Sequence, residues 1–206
     1  MSHFVGIVFG PKEEVDYKLA PYDENLEVEP YIERSPKELL EWAKDYEKNM
    51  RDTINKYSES VEDNYKQERA KELIDSLHNQ WHNFESKEDY KSLIEKHFNL
   101  DDKGNAISTY NPNSKWDWYR IGGRWNGDIL HAGSYDTNQA PKKVLTQIKT
   151  PYCFVDLNGE WHERGTMGWW GMSLGEMDKD AWEKEFREYL DSLPEDTWLT
   201  VIDFHI

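Results

Sequence analysis

The sequence predicts an α+β protein, and three observations support that class. Segments rich in β-branched and aromatic residues lie near both ends of the chain, at residues 3–10 and 197–206. Residues 36–97 between them carry an apolar repeat of three and four residues, which is the period of an α-helix. A shorter segment after Asp178 has the same period. This order matches a ferredoxin-like β-α-β-β-α-β core with an antiparallel or mixed sheet, to which a long helical insertion and a Trp-rich hairpin are added.

The first strand is predicted over residues 3–10. These residues are mostly apolar, as in a buried strand, and the run ends at a Gly-Pro pair. Residues 12–34 have no sustained period and are predicted to form a loop. Asp23 and Glu24 lie in this loop, where acidic residues are typical of solvated turns. A metal-holding role for these two residues is the alternative.

The helical segment starts with a capping signal. Ser35 can cap the helix, Pro36 suits its first position, and Glu38 can bond back to the serine. The apolar stripe behind this signal predicts a long helix with a break near residues 64–67, and a second capped segment that opens at Ser86.

The segment at residues 116–125 is the most unusual in the chain, because it reads W-D-W-Y-R-I-G-G-R-W. A strand that turns at the Gly-Gly pair would form a hairpin in which Arg120 lies opposite Trp125. One face of that hairpin would carry Trp116, Trp118, Arg120 and Trp125, while Asp117, Tyr119, Arg124 and Asp128 would lie on the other. A turn at Asn126-Gly127 would sort the faces differently.

The motif W-D-W-Y-x-I-G-G-R-W resembles one in a family of uncharacterised phage and bacterial proteins. Three further segments are similar to that family: residues 20–25, the run from 159 to 171, and residues 201–206. The resemblance spans most of the chain. It implies a phage or prophage origin, and it implies no particular chemistry.

The remaining segments predict a second hairpin, a helix and a strand. Asn158-Gly159 is a strong hairpin signal within the Trp-rich region at residues 110–171. Asp178 is predicted to cap the final helix. In the last strand, the period of two places Asp203 and His205 side by side on one face, where they could share a substrate or a metal. A terminal strand that runs out into solvent would show the same pattern.

Composition limits the possible functions. The chain has 206 residues, one cysteine and a net charge of -16, which suits a single domain over residues 1–206 without an internal disulfide framework. The apolar run at the amino terminus is too short for a signal peptide or membrane span, so we expect a cytoplasmic protein without a membrane partner. The acidity disfavours nucleic acid duplexes as partners. No cofactor is expected, and the oligomeric state is left open.

The charge is unevenly distributed along the chain. Residues 101–172 hold eight acidic and eight basic side chains, whereas both flanking regions are acidic. Six of the ten tryptophans lie between residues 116 and 170. An anionic ligand would therefore be tolerated best in this neutral, aromatic region.

The first functional hypothesis is a phage-type small-ligand binding protein. Flat side chains and guanidinium groups hold planar anions by stacking and by forked hydrogen bonds. Such a protein could sequester a nucleotide or a nucleotide-derived signal, as an anti-defence protein does. The candidate ligand-binding residues are Trp116, Trp118, Tyr119, Arg120, Arg124, Trp125, His162, Trp169 and Trp170. The other interpretation is that these indoles fill a core.

Two alternatives belong to other functional classes. A metal-assisted nucleotide hydrolase would use histidine and carboxylate groups, with candidates His162, Glu163, Asp203 and His205. An acidic interaction protein would use the helical face of residues 36–97 to inhibit a host DNA-binding protein, although lysine and arginine are interleaved there. The sequence alone does not decide between binding and hydrolysis.

Overall fold

The computed structural model describes residues 2–59, 87–167 and 173–206. The chain divides into two compact units, one formed by residues 1–28 with 110–206 and the other by residues 29–109. The predicted helix break near residues 64–67 and the predicted cap at Ser86 lie outside the described residues.

Twelve strands and four α-helices make up the described residues. The strands are β1 (His3–Phe9), β2 (Tyr31–Arg34), β3 (Ala106–Ser108), β4 (Trp118–Ile121), β5 (Ile129–His131), β6 (Gln139–Pro141), β7 (Leu145–Ile148), β8 (Cys153–Val155), β9 (Trp161–Glu163), β10 (Thr166–Met167), β11 (Ser173–Leu174) and β12 (Trp198–His205). The helices are α1 (Val15–Leu19), α2 (Pro36–Glu59), α3 (Lys87–His97) and α4 (Lys179–Ser192). Among the described residues, no helix combines the length and the apolar character needed to cross a membrane.

A six-stranded mixed sheet forms the centre of the first unit. Its strand order is β4-β12-β1-β8-β9, and β6 pairs with the amino-terminal part of β12. Strands β1 and β8 run parallel, while the other neighbours are antiparallel. The predicted α+β class and mixed sheet are confirmed, whereas the ferredoxin-like topology is not.

Both faces of this sheet carry a hydrophobic core. On one face, Ile7 and Phe154 belong to a buried cluster that includes Phe186 of α4. On the other face, Val8 packs in a second cluster with Leu19 of α1. The alternation of side chains along β1 therefore fills two separate cores.

The two terminal strands lie where the sequence predicted them. β1 and β12 pair antiparallel over all seven residues of β1. β12 has a neighbour on each side and is buried along nearly its whole length, so it does not run out into solvent. The predicted final helix is also confirmed, because the side chain of Asp178 accepts hydrogen bonds from the backbone N–H groups of Asp180 and Ala181.

The predicted hairpin at Gly122-Gly123 is wrong. Arg120 lies opposite Asp203 of β12 and not opposite Trp125. Both glycines have positive φ angles, 70° and 53°, and the chain enters a 3-10 turn at 123–125. This turn carries the chain away from β4, and β12 takes the place of a return strand.

The Asn158-Gly159 hairpin is confirmed, because β8 and β9 pair antiparallel on either side of it. The segment predicted to form a loop contains regular structure. Residues 12–34 include α1, whose Val15 and Leu19 are buried one turn apart. Residues 131–150 include β6 and β7.

In the second unit, the predicted capping box is present. The side chain of Glu38 accepts from the backbone N–H of Ser35 at 2.7 Å and from its hydroxyl at 2.6 Å. Leu39 on α2 and Leu93 on α3 are buried, and β2 pairs antiparallel with β3.

The buried amine of Lys18 joins α1 to the end of the sheet. Its Nζ donates to the carbonyl of Phe9 at 2.7 Å, of Leu157 at 2.9 Å and of Asp156 at 3.2 Å. Burial lowers the pKa of the ammonium group, and the nearby Glu14 and Asp156 oppose that effect. The amine therefore satisfies three main-chain acceptors at once.

We predict that Lys18→Met lowers the free energy of unfolding by about 1–3 kcal/mol, because methionine leaves these carbonyl groups without a donor. Urea denaturation measures the change. Lys184→Met on the exposed side of α4 is the control, and it should change stability by less than about 0.5 kcal/mol. Equal losses in the two variants would show that the three hydrogen bonds contribute nothing.

Candidate functional site at the edge of the main sheet

Five side chains meet on one face of the sheet near the free edge of β4. The register places His3 and Trp118 on either side of His205, and Arg120 beside Asp203. Residues directly opposite each other on antiparallel strands share a face. We call these five residues the polar edge.

Asp203 is the most buried member, with 3% of its surface exposed. Its Oδ1 accepts from Nδ1 of His3 at 2.8 Å, and its Oδ2 accepts from the backbone N–H of Arg124 at 3.0 Å. A buried carboxylate is tolerated when such donors replace water. Gly123 makes this approach possible, since a Cβ atom there would overlap the carboxylate.

His205 is held by a second carboxylate. Its Nδ1 lies 2.5 Å from Oδ1 of Asp117, which the predicted hairpin placed on the opposite face. The imidazole stacks on Trp118 with ring centres 5.1 Å apart and planes 16° apart. The ring of His3 meets it edge-on at 5.0 Å. The site therefore contains two adjacent histidine–carboxylate pairs.

Arg120 and Arg124 are exposed, and neither guanidinium group has a hydrogen bond or ion pair with any residue that the structure describes. Every other arginine in the described ranges has an acidic neighbour. These pairs are Arg34 with Glu33, Arg51 with Glu47, Arg164 with Glu176 and Arg187 with Glu183. Unpaired guanidinium groups are thus confined, within that part of the chain, to the segment beside Trp118.

The aromatic residues of the motif have different surroundings. Trp118 is 43% exposed, whereas Trp116 is 7% exposed and belongs to the core cluster with Phe204. Trp125 is partly buried against the other core. The core-filling interpretation therefore describes Trp116 and Trp125, while Trp118 is open to a ligand. The candidates Trp169 and Trp170 lie outside the described residues.

Tyr119 also packs against a core, and its hydroxyl is hydrogen-bonded to the carboxylate of Asp16. Burial is the main cause that raises the pKa of Tyr119, and the hydrogen bond to Asp16 adds to it. The hydroxyl is therefore engaged within the protein.

His162 and Glu163 lie on β9, at the opposite edge of the sheet from β4. The His162 ring stacks on Phe154 at 4.5 Å. Glu163 accepts from Lys115 at 2.7 Å and from the indole N–H of Trp161 at 2.9 Å. The structure thus separates these two catalytic candidates from Asp203 and His205.

A group with metal-ligand chemistry occurs at the hairpin between β8 and β9. One ligand atom each from Asp156, Glu160 and His162 lies within 4.8 Å of the others. Asp156 already accepts from the backbone N–H groups of Asn158 and Glu160, both at 2.8 Å. The hairpin turn itself therefore accounts for the position of this carboxylate.

Asp23, the other residue considered for a metal, has a comparable turn role. Its carboxylate accepts from the backbone N–H of Asn25 at 2.8 Å. The neighbouring Glu24 donates its backbone N–H to the carbonyl of Trp116. Both residues thus help to hold the loop against the Trp-rich segment.

A cleft of about 230 Å³ lies at the start of α4. Its lining residues are Thr150, Pro151, Tyr152, Arg164, Lys179, Trp182 and Glu183. Arg164 is bound there to Glu176 at 2.9 Å and to the carbonyl of Met177. This arginine is therefore less available to an anion than Arg120.

His3 and Asp117 were not among the site residues predicted from the sequence. A signal for His3 was present, because it alternates with Val5 and Ile7 in the first strand. Antiparallel pairing of the two terminal strands would have placed it beside His205. No comparable pattern points to Asp117, whose contact depends on the path of the chain before β4.

Comparisons with protein-family models, curated protein sequences and solved structures gave no match to this chain. The resemblance to phage and bacterial proteins therefore stays a prediction. The geometry of the site is the basis for a functional proposal.

We predict that Gly123→Ala destabilises the fold more than Gly127→Ala. Both glycines have positive φ, but a Cβ atom at Gly127 has no neighbour within 4 Å. Overlap with Asp203 should cost Gly123→Ala about 1–3 kcal/mol more in unfolding free energy. Urea denaturation compares the variants, and equal losses would contradict the close approach of this turn to Asp203.

We also predict that Tyr119→Phe reduces the loss of stability at alkaline pH. The raised pKa keeps this hydroxyl protonated in the folded state, while the unfolded state ionises near its ordinary pKa of about 10. The contribution of this protonated hydroxyl to the free energy of unfolding is therefore fully present below about pH 10 and is lost as the pH rises above that value. The urea midpoint at several pH values from about 8 to 11 measures this slope.

The exposed Tyr17 provides the control, since Tyr17→Phe should leave the alkaline slope as in the native protein. A slope in Tyr119→Phe that equals the native one would mean that Tyr119 ionises as readily in the folded as in the unfolded chain.

Proposed function

We propose that this protein binds a small planar anion, a nucleotide or nucleotide-derived signal, at the polar edge. The observation that carries this proposal is the position of Arg120, whose guanidinium group has no partner among the described residues, on the same strand face as the exposed indole of Trp118. Arg124, which is also exposed and unpaired among those residues, lies in the turn that follows the strand. In this arrangement Arg120 and Arg124 receive the anionic group, and Trp118 receives the flat ring.

The pairing of the other described arginines strengthens the charge argument. The chain has 41 acidic and 25 basic side chains, so an acidic partner is abundant for any exposed cation. Arg120 faces Asp203, but that carboxylate already accepts from His3 and from the backbone of Arg124. The guanidinium group of Arg120 thus retains N–H donors for a ligand. The forked geometry of these donors matches that of a phosphate group.

Trp118 is suited to hold the flat part of such a ligand. Its stack on His205 and edge contact with His3 support the indole from within the protein. A ring that is already held in place loses less conformational entropy when a ligand stacks on it. Nucleotides combine an aromatic base with a phosphate, which is the pair of groups that this edge is able to recognise.

The remaining alternatives have less support at this edge. The Asp156, Glu160 and His162 group lies on the β8–β9 hairpin, away from Trp118. Among the described residues, metal-assisted hydrolysis therefore has no set of metal ligands beside Trp118.

The helical alternative has less support because, on the described parts of α2 and α3, acids pair with bases one turn away, as Glu47 does with Arg51. Such pairs lower the acidic charge available for imitating nucleic acid. The phage origin and anti-defence role remain part of the proposal through the resemblance of the motif.

We predict that a panel of mono-, di-, tri- and cyclic nucleotides contains a ligand that raises the melting temperature. At a concentration one hundred times its Kd, a ligand adds about 2.7 kcal/mol to stability. Arg120→Gln should weaken that ligand about 10- to 100-fold, because it removes charge-assisted hydrogen bonds. Isothermal titration calorimetry measures each Kd.

The matched control is Lys184→Gln, which removes the same charge from α4 and should leave the Kd unchanged. Trp118→Ala should also weaken binding, through loss of stacking. A panel without any stabilising nucleotide, or equal affinity in Arg120→Gln and the native protein, would contradict the proposal.

A further inference from the structure

The hairpin between β8 and β9 brings three side chains with metal-binding chemistry to one face of the main sheet. The register places His162 opposite Phe154. Two residues along the hairpin, the backbone N–H of Asp156 donates to the carbonyl of Glu160 at 3.0 Å. Side chains alternate along a strand, and residues opposite each other share a face. Asp156, Glu160 and His162 therefore project from the same side of the hairpin.

The two carboxylate oxygens of Asp156 have different partners. Oδ1 accepts from the backbone N–H groups of Asn158 and Glu160, both at 2.8 Å, and these bonds fix the carboxylate in the turn. Oδ2 is left with the side-chain amide of Asn158, at 3.5 Å. The side chain is 8% exposed, so water does little to replace the missing donors. A buried negative charge with one oxygen so weakly satisfied favours a cation beside it.

The Nε2 atom of His162 faces this oxygen. It is buried, and no described residue forms a hydrogen bond with it. Its distance to Oδ2 of Asp156 is 3.6 Å, which is too long for a hydrogen bond. Two ligands of one zinc ion, bound at about 2.1 Å and separated by a tetrahedral angle, lie about 3.4 Å apart. The spacing thus suits two ligands of one ion better than a direct contact.

Glu160 supplies a third ligand from the exposed end of the hairpin. One of its carboxylate oxygens lies within 4.8 Å of the ligand atoms of Asp156 and His162. The residue is exposed, so a change of rotamer can bring this oxygen onto an ion held by the other two. An ion can also enter from the solvent on this side.

The neighbours of His162 hold its imidazole in a fixed plane. The rings of Phe154 and Tyr189 stack against it, with centres 4.5 Å and 6.3 Å away. The nearby ammonium group of Lys18 opposes a second cation, since its Nζ lies 3.2 Å from the carbonyl of Asp156. Two carboxylates offset that charge and that of a divalent ion. The ligands on the two strands are therefore largely in place before an ion binds.

We propose that Oδ2 of Asp156, a carboxylate oxygen of Glu160 and Nε2 of His162 bind one divalent transition-metal ion of the zinc type. An imidazole ligand favours zinc and related ions over Mg²⁺ and Ca²⁺, which prefer oxygen ligands. Three protein ligands leave a fourth position for water. The ion ties the two strands of the hairpin together at the opposite edge of the sheet from β4, so this site is independent of the proposed nucleotide site.

The test uses the full chain, freed of metal with EDTA and dialysed, and Zn²⁺ alone as the probe. Isothermal titration calorimetry should show one equivalent of Zn²⁺ bound per chain, with a Kd in the micromolar range or tighter. The melting temperature should rise, because the ion binds the folded hairpin preferentially. The same concentration of Mg²⁺ should leave it unchanged. The imidazole ¹⁵N signals that respond to Zn²⁺ in NMR spectra should be those of His162.

Asp156→Asn separates the metal ligand from the turn. Asparagine keeps an oxygen for the two backbone N–H groups, and its amide nitrogen, which does not bind metal, replaces the other oxygen. This variant, His162→Gln and Glu160→Gln should each weaken Zn²⁺ binding by at least about 10-fold, since loss of even an outer-shell partner costs about 10- to 100-fold. His97→Gln removes an exposed imidazole from α3 and is the control with the native Kd.

The outcomes that would overturn the site are distinct. Absence of Zn²⁺ binding, or a native Kd in the ligand variants, would do so. An equal loss in His97→Gln would assign the ion to surface histidines. Mg²⁺ binding as tight as that of Zn²⁺ would show that the imidazole is not a ligand. If Asp156→Asn fails to fold, Glu160→Gln on the exposed side of the hairpin provides the same test.

Discussion

The hydrogen bonds of the buried Asp203 carboxylate are the interactions on which the polar edge depends. It lies on β12 and accepts from His3 on β1 and from the backbone of Arg124 after β4. A charge buried this deeply is tolerated only with such donors. These two hydrogen bonds therefore fix both the imidazole of His3 and the turn that carries Arg124, and Gly123 leaves the space for that turn.

The polar edge exists because the side chains on one face of β12 change from apolar to polar along the strand. Leu199 and Val201 on this face belong to the core that includes α4. Two residues further along the same face, Asp203 and His205 replace the apolar side chains. A strand buried between two neighbours thus supplies a rigid support for polar groups, and rigid elements hold such groups more accurately than loops do. The apolar half of this face packs in the core, and the polar half belongs to the polar edge.

Charge distribution is the basis of the proposed anion binding at the same edge. Among the described residues, the other arginines are paired with acids, as Arg187 is with Glu183 within a helix, and Lys115 is paired with Glu163 between distant segments. Arg120 and Arg124 differ, since Asp203, which lies opposite Arg120, already accepts from His3 and from the backbone N–H of Arg124. Binding at this edge would owe its strength to short-range contacts, since the net charge of -16 opposes the approach of an anion from a distance.

Local patterns in the sequence were sufficient for the terminal strands, the capping box at Ser35, the Asn158-Gly159 hairpin and the helix after Asp178. Each of these depends on neighbouring residues, whose spacing and turn chemistry are visible in the sequence. The sequence alone also placed Asp203 and His205 on one face. It did not determine which strand joins β12, so it misassigned the partner of Arg120. Only the tertiary structure brought His3, Asp117 and Trp118 to those two residues, because strand pairing joins segments that no local pattern connects.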